Sequence, residues 1–146
     1  MAEYASGKRA ELGLPPASGV WSFTLLMGRA PKGLSANDRA HWRTKAVSTQ
    51  QVREMVMLKV RQAKVPALEK CRVNVEWVVK DKRRRDADNL APFLKAIYDG
   101  IGADKGVSAR IVEDDAPQYM EKIGATIRHE PGCVPRFVVT ITDIGP

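Results

Sequence analysis

The way hydrophobic periodicity changes along this chain predicts an α/β fold of the mixed α+β kind, with helices packed against a single mixed β-sheet. The predicted order of the main elements is β-α-β-α-β-β, to which residues 109–112 add one short strand before the last two. Residues 71–80 alternate apolar and polar side chains, as a half-buried strand does. Apolar residues over 90–101 recur instead at helical spacing. The 146 residues are enough for one hydrophobic core, and no second domain boundary interrupts them.

The N-terminal half predicts an arm, a strand and a long helix. Residues 1–19 are rich in Ala, Gly, Ser and Pro, which indicates a flexible or loosely docked arm ahead of a domain over 20–146. The short apolar run VWSFTLLM (20–27) predicts a buried strand. SAND resembles a capping box, so we expect a helix from about Ser35 to about Gln62 with one buried stripe, Val52, Val56 and Val60.

The C-terminal half predicts one helix and four strands. In order, these are a strand over 71–80, a helix from Asn89 that Gly100 and Gly102 end, and strands over 109–112, 119–129 and 136–144. Alternation in YMEKIGATIRH is expected to place four side chains on one face, Tyr119, Ile123, Ala125 and Ile127. We expect the last two strands to pair as a closing hairpin.

The charge balance favours an anionic partner. Lys plus Arg exceed Asp plus Glu by 24 − 17 = 7, and the pI is near 9.6. Nucleic acid is the commonest such partner, although a protein can simply be basic. The N-terminus lacks a signal-peptide pattern and no apolar run is long enough for a membrane helix. With only Cys71 and Cys133, a reducing cytoplasm is the simpler expectation.

The stretch RRRDADNL (83–90) carries the most informative chemistry. Asp86 and Asp88 stand at i and i+2 between a predicted strand and a helix, so both carboxylates can point to one place. A second acidic pair, Asp114 and Asp115, follows the predicted strand at 109–112 and would join them if that strand paired beside the first. Three hard oxygen ligands without His or Cys suit Mg²⁺ or Mn²⁺ rather than zinc.

Each of these residues also has a purely structural interpretation. Asp88 could cap the helix that follows, Asp86 could pair with an arginine of its own loop, and Asp114 could be a turn residue. Lys95 faces away from the apolar stripe, so its ammonium could lean toward a phosphate near the two aspartates. Lys95 could equally form an exposed i,i+4 pair with Asp99.

Together these motifs resemble the RusA family of Holliday junction resolvases of bacteria and phages. The resemblance rests on DADNLAPFLKAIYDGI followed by VEDDAPQY, and on LSANDRAHWR before a long helix; it spans about residues 20–144. It implies that Asp86, Asp88 and Asp115 are catalytic metal ligands, with Asp114 as the alternative to Asp115. Lys95 matches the family's essential basic residue, although it lies seven residues beyond Asp88, where shorter members place it four beyond.

The resemblance further implies a Mg²⁺-dependent endonuclease, with Mn²⁺ expected to substitute, that acts as a homodimer on four-way DNA junctions. Such an enzyme cuts two opposed strands symmetrically and leaves 5′-phosphate and 3′-hydroxyl ends. Asn89 matches the motif's Asn and could fix the turn or contact DNA. The candidate phosphate contacts are basic residues near the aspartates and before the long helix: Lys82, Arg83, Arg84, Arg85, Arg39 and Arg43.

Two other functions fit the same residues. One is a Mg²⁺ nuclease that cuts other branched or single-stranded DNA, and the other is a non-catalytic, basic DNA-binding module. The glycine-containing segments lack P-loop spacing, so no nucleotide cofactor is expected. His41 and His129 have no zinc-site spacing; His41, within RAHWR, could touch DNA.

Overall fold

The protein is built on one four-stranded mixed sheet. The computed structural model describes residues 19–145. The strands are β1 (Val20–Leu25), β2 (Cys71–Val79), β3 (Met120–His129) and β4 (Arg136–Asp143). Their spatial order is β1-β4-β2-β3. β4 runs antiparallel to both neighbours, and β2 and β3 are parallel. The predicted class, one mixed sheet with helices against it, is confirmed.

Two α-helices share one core with the sheet: α1 (Trp42–Gln62) and α2 (Ala91–Gly102). A short 3₁₀ helix, Ala87–Leu90, leads into α2. The predicted valine stripe of α1 is buried. The rings of Phe93 on α2 and Phe137 on β4 meet edge to face, with centroids 4.8 Å apart, so the helix layer packs directly on the central strand.

The long helix begins later than its capping motif predicts. Asp38, the acid of SAND, accepts hydrogen bonds from the backbone N–H groups of Gly33 and Ala40, which makes a turn instead of a capping box. His41 caps α1, because its Nδ1 accepts from the N–H of Arg43 at 3.1 Å. The predicted start at Ser35 is therefore wrong, and the predicted end at Gln62 is confirmed.

No strand forms over 109–112, and the reason lies in where its backbone bonds. The N–H of Ala109 donates to the carbonyl of Gly100, and that of Ile111 to the carbonyl of Ile101. These carbonyls belong to the last turn of α2 and need a partner outside the helix. The segment thus closes the helix end, and the strand predicted there is wrong.

The final hairpin is also wrong, because β3 and β4 lie on opposite sides of β2. β3 carries one extra residue relative to β2: Asn74 pairs with Ile123, but Glu76 pairs with Thr126. This bulge reverses the alternation, so Ile123 and Ile127 lie on opposite faces of the sheet and not on one. Both remain partly exposed on an edge strand.

Two further predictions concern the N-terminal arm and membrane-spanning helices. The predicted N-terminal arm lies outside the described residues except for Gly19, whose carbonyl accepts from the N–H of Asp143. No helix within residues 19–145 is long and apolar enough to cross a bilayer.

Candidate functional site

Asp86 and Asp88 are both exposed where the loop after β2 enters the 3₁₀ helix: Asp86 directly precedes the helix, and Asp88 is its second residue. We call this stretch, residues 86–88, the aspartate turn. Asp86 is extended, and its Oδ1 accepts from the N–H of Asp88 at 3.0 Å. Asp86 is therefore the capping residue, whereas the sequence had suggested Asp88 for that role. The carboxylate of Asp88 has no hydrogen-bond or ion-pair partner among the described residues. Two adjacent carboxylates are thus presented to solvent.

The arginines of the same loop neutralise a different aspartate, Asp81. Arg85 Nη2 lies 2.8 Å from Asp81 Oδ1, and Arg83 Nη2 lies 3.8 Å from Asp81 Oδ2. The backbone N–H of Arg83 and then the guanidinium of Arg85 hold the pKa of Asp81 below its ordinary value. The alternative in which Asp86 pairs with an arginine of its own loop is not what the structure shows.

The four basic residues at this turn divide into one anchored side chain and three exposed ones, of which Arg83 is loosely paired with Asp81. Arg85 is nearly buried, bonds the carbonyls of Asp81 and Arg83, and lies over the Trp77 ring at 5.6 Å. The side chain of Arg83 is 78% exposed, and Lys82 and Arg84 are also exposed. Arg85 therefore supports the loop, and the other three remain accessible to a ligand.

The segment before α1 lies beside the aspartate turn. The N–H of Ala36 donates to the carbonyl of Asn89 at 2.8 Å, so Asn89 fixes this junction through its backbone. Arg39 follows in the same segment and Arg43 in the first turn of α1, and both are exposed. The structure thus gathers the predicted phosphate contacts of two separate stretches near one region of the surface.

Asp115 leaves the opposite end of the sheet from Asp86 and Asp88. Cys71 pairs with Met120 and Val79 with His129, so β2 and β3 start and end together. Asp115 precedes the start of β3, whereas the other two aspartates follow the end of β2. Asp115 contacts Asp99, which lies eleven residues beyond Asp88 along the 3₁₀ helix and α2, roughly 15–20 Å away. The convergence that required a strand at 109–112 does not occur within one chain.

The side chain of Asp115 is engaged by other residues of the same chain. Its carboxylate lies 3.2 Å from Lys122 Nζ and is hydrogen-bonded to the Asp99 carboxyl. Asp114 is half-buried next to it. Within residues 19–145, no group of three His, Cys, Asp or Glu side chains is close enough to hold a metal ion. One chain alone therefore offers a pair of carboxylates, not a cage of three.

Lys95 also points away from the aspartate turn. Its Nζ lies 3.3 Å from Asp99 Oδ2, one helical turn toward the C-terminus, and its side chain is 74% exposed. Arg53 Nη1 approaches the same Asp99 oxygen at 3.9 Å. The predicted lean toward Asp86 and Asp88 is not observed; the alternative i,i+4 pair with Asp99 is.

Burial and hydrogen bonds shift the pKa values of Asp99 and Asp115 in opposite directions. Desolvation first, and then the hydrogen bond with Asp115, raise the pKa of Asp99 despite the ammonium of Lys95. Burial alone would also raise the pKa of Asp115, but hydrogen bonds from Asp99 and Lys122 outweigh it and lower that pKa. The two pKa values are thus shifted apart, so Asp99 holds a proton to a higher pH than Asp115 does.

A cleft of about 310 Å³ runs between the 33–36 segment, α1 and α2. Ala36 and Pro92 lie at one part of its wall and Asp99 at another. Its cationic side chains are Lys45 and Lys95, which project from the two helices. The cleft lies beside the segment that contacts the aspartate turn, with two lysines and one aspartate on its wall.

Sequence reasoning missed three residues that organise this surface. Arg53 donates to the carbonyls of Val107 and Lys105 at 2.8 Å and 2.5 Å, which ties the loop after α2 to α1. Asp99 is buried, although its spacing to Lys95 suggested only an exposed pair. Trp42 is exposed. A basic residue amid the valine stripe was the available signal for Arg53; no local pattern marks the other two.

Comparison with known proteins adds no assignment: no family model matches the chain, and no curated protein matches its sequence.

Proposed function

We propose that the protein is a Mg²⁺-dependent endodeoxyribonuclease that resolves four-way DNA junctions in the cytoplasm of a bacterial or phage-infected cell. One observation carries the proposal. Asp86 and Asp88 present adjacent carboxylates to solvent without a cationic partner in the described part of the chain, while exposed basic residues surround them. A strongly basic chain that leaves two carboxylates unpaired beside free cations is suited to a divalent ion and a phosphate.

The residues at the turn fit Mg²⁺ by their chemistry. Asp86 and Asp88 offer hard oxygen donors, and Mg²⁺ is commonly held by one or two carboxylates together with water and substrate phosphate. When bound, the ion supplies a more acidic water and stabilises charge on the transferred phosphate. Mn²⁺ is expected to substitute, because it prefers the same oxygen donors. Zinc and nucleotide cofactors are not part of the proposal.

The DNA backbone would lie across the accessible cations. Lys82, Arg83 and Arg84 flank the carboxylates, and Arg39 and Arg43 stand across the Ala36–Asn89 hydrogen bond. Lys45, on the wall of the neighbouring cleft, adds a further cation beside this surface. Each phosphate neutralised by such a side chain releases a condensed counterion, which makes affinity depend steeply on salt.

Junction preference and a homodimer rest on the resemblance to RusA-type resolvases. A two-fold dimer provides two equivalent sites for paired nicks. Asp115 could join the ion at Asp86 and Asp88 from a second copy of the chain, because within one chain it precedes the start of β3 and contacts Asp99 instead. In that case the Asp99–Asp115 contact would have to open. Lys95 likewise could act on phosphate only after leaving Asp99.

A comparison of substrates tests the proposal. The protein is incubated with Mg²⁺ and either a four-way junction or a linear duplex of the same sequence, and parallel reactions contain EDTA. The proposal expects paired symmetric nicks in the junction, little cutting of the duplex, and none with EDTA. Equal cutting of both substrates would indicate a less selective Mg²⁺ nuclease. Binding without cleavage of any branched substrate would indicate a DNA-binding module.

A further inference from the structure

Trp42 is the one tryptophan of the three that lies on the surface. Its side chain is 67% exposed, whereas Trp21 and Trp77 are 7% and 9% exposed. Tryptophan is usually highly buried, since its large apolar ring gains free energy on leaving water. An indole held in solvent therefore indicates a surface that a ligand covers.

Neighbouring side chains hold the indole in place. The Arg43 guanidinium lies 5.3 Å from the centroid of the Trp42 ring, and the His41 ring lies 5.6 Å away at an interplanar angle of 34°. His41 also accepts from the N–H of Arg43, which fixes the backbone at the start of α1. A ring held before binding loses little freedom on contact, which favours affinity.

The surface around Trp42 is positive. From residue 39 to residue 45 the chain has three basic residues and no acidic one: Arg39, Arg43 and Lys45. Asp38 is the nearest acid in sequence, and its two carboxylate oxygens are engaged by the backbone N–H groups of Gly33 and Ala40. The patch thus combines an exposed aromatic face with cations, and it suits an anionic ligand that itself has a flat aromatic face.

Deepening the proposed function on which it rests, we propose that Trp42 stacks on an unpaired base of single-stranded DNA while Arg39 and Arg43 contact the flanking phosphates. A duplex offers the patch only phosphates, because its base faces are already stacked. An unpaired strand offers both a base face and phosphates. The Ala36–Asn89 hydrogen bond joins this segment to the aspartate turn, so a strand stacked here would lie next to the proposed cleavage site.

Tryptophan fluorescence in EDTA tests the stacking without catalysis. A single-stranded oligonucleotide is titrated against the protein, and a duplex and an oligonucleotide with abasic sites serve as probes of phosphate contact alone. We expect the single strand to quench the emission of the exposed Trp42. We expect Trp42→Ala to weaken single-strand binding, measured by anisotropy, about 5- to 150-fold, and duplex binding little. Trp42→Phe should recover part of the loss.

Leu58→Ala is the matched control, because Leu58 is another large apolar side chain exposed on α1, at 54%. It should leave binding to every probe unchanged, and thermal unfolding should show that both variants fold. Equal affinity of Trp42→Ala and the unmutated protein for the single strand would overturn the inference, as would an equal loss on duplex and abasic probes. Trp42-dependent binding by a protein that cuts nothing would reject the nuclease and leave the stacking intact.

Discussion

The Asp99 carboxyl of α2 is hydrogen-bonded to the Asp115 carboxyl that precedes β3. Lys95 Nζ lies 3.3 Å from Asp99, and Lys122 Nζ lies 3.2 Å from Asp115. Two carboxyls can share a hydrogen bond only while one of them keeps its proton, and desolvation makes Asp99 that one. The pair links the C-terminal part of α2 to the segment before β3, so Asp115 is not a free ligand in one chain.

The titration of Asp99 should be visible in stability. Its folded pKa is raised above 3.8, so its contribution to the free energy of unfolding falls as the pH rises from 3.8 through the folded pKa. Asp99→Asn can donate the same hydrogen bond without titrating. We expect the stability advantage of the unmutated protein over this variant to shrink as the pH rises, in urea unfolding at several values between about pH 4 and pH 8. A difference independent of pH would contradict this account.

The contribution of Asp115 to stability should depend on pH in the opposite direction from that of Asp99. Its pKa is lowered below 3.8, so its stabilisation is complete above that value and is lost as the pH falls through the folded pKa. Asp115→Asn should therefore destabilise the protein near neutral pH and cost progressively less under acid conditions. Asp104→Asn, at an exposed position in the loop after α2, is the control and should have no effect at either pH.

Arg53 should be needed to hold the loop between α2 and β3. Its guanidinium bonds the carbonyls of Val107 and Lys105 and approaches Asp99. We expect Arg53→Met to lower the free energy of unfolding by about 1–3 kcal/mol, measured with urea. Arg53→Lys should not restore it, because one ammonium cannot reproduce the planar two-nitrogen geometry. Arg61→Met, at an exposed position on the same helix, should be near neutral.

The basic residues of the aspartate turn should differ in their effect on DNA binding. Arg84→Gln removes an accessible cation, so the plot of log affinity against log salt should become shallower by about 0.9 if it meets one phosphate. Arg85→Gln should instead lower stability, because Arg85 is bonded to Asp81 and to the carbonyl of Arg83. An unchanged slope in Arg84→Gln would remove that residue from the interface.

Either aspartate of the turn should be required for cleavage but not for binding. Asp86→Asn and Asp88→Asn each remove a charged oxygen donor, so we expect Mg²⁺-dependent cutting of a four-way junction to fall about 100-fold or more. Junction binding in EDTA should be retained or slightly stronger, because a negative charge is lost near phosphate. Asp104→Asn should cut normally. Full activity in both turn variants would place the chemistry elsewhere.

The spacing of apolar residues predicted most helices and strands, because this spacing depends only on residues that are close in sequence. Val73, Val75 and Trp77 alternate inward on β2, and the valine stripe of α1 is buried as expected. The pairing of strands could not be predicted the same way. Cys71 pairs with Asp143 on one side and with Met120 on the other. Partners so distant in sequence produce no local pattern from which the pairing could be predicted.

The candidate site was predicted in part for the same reason. Asp86 and Asp88 share one turn, so their proximity follows from sequence. The position of Asp115 depended on whether residues 109–112 form a strand. They do not, because their N–H groups bond the carbonyls at the end of α2 that have no partner within the helix. Arg83 and Arg85 pair with Asp81 and not with Asp86. Both acids are close in sequence to the arginines, so only the backbone conformation of the loop determines which one is paired.

Paramagnetic broadening by Mn²⁺ tests most directly whether the aspartate turn binds a divalent ion. Amide signals of the nitrogen-15-labelled protein are followed as substoichiometric Mn²⁺ is added, because broadening falls steeply with distance from the bound ion. We predict that the amides of Ala87, Asp88 and Asn89 broaden first and that Asp86→Asn combined with Asp88→Asn abolishes this. Broadening that begins instead around Asp99 and Asp115, or that is no greater at the turn than around Asp104, would contradict the account.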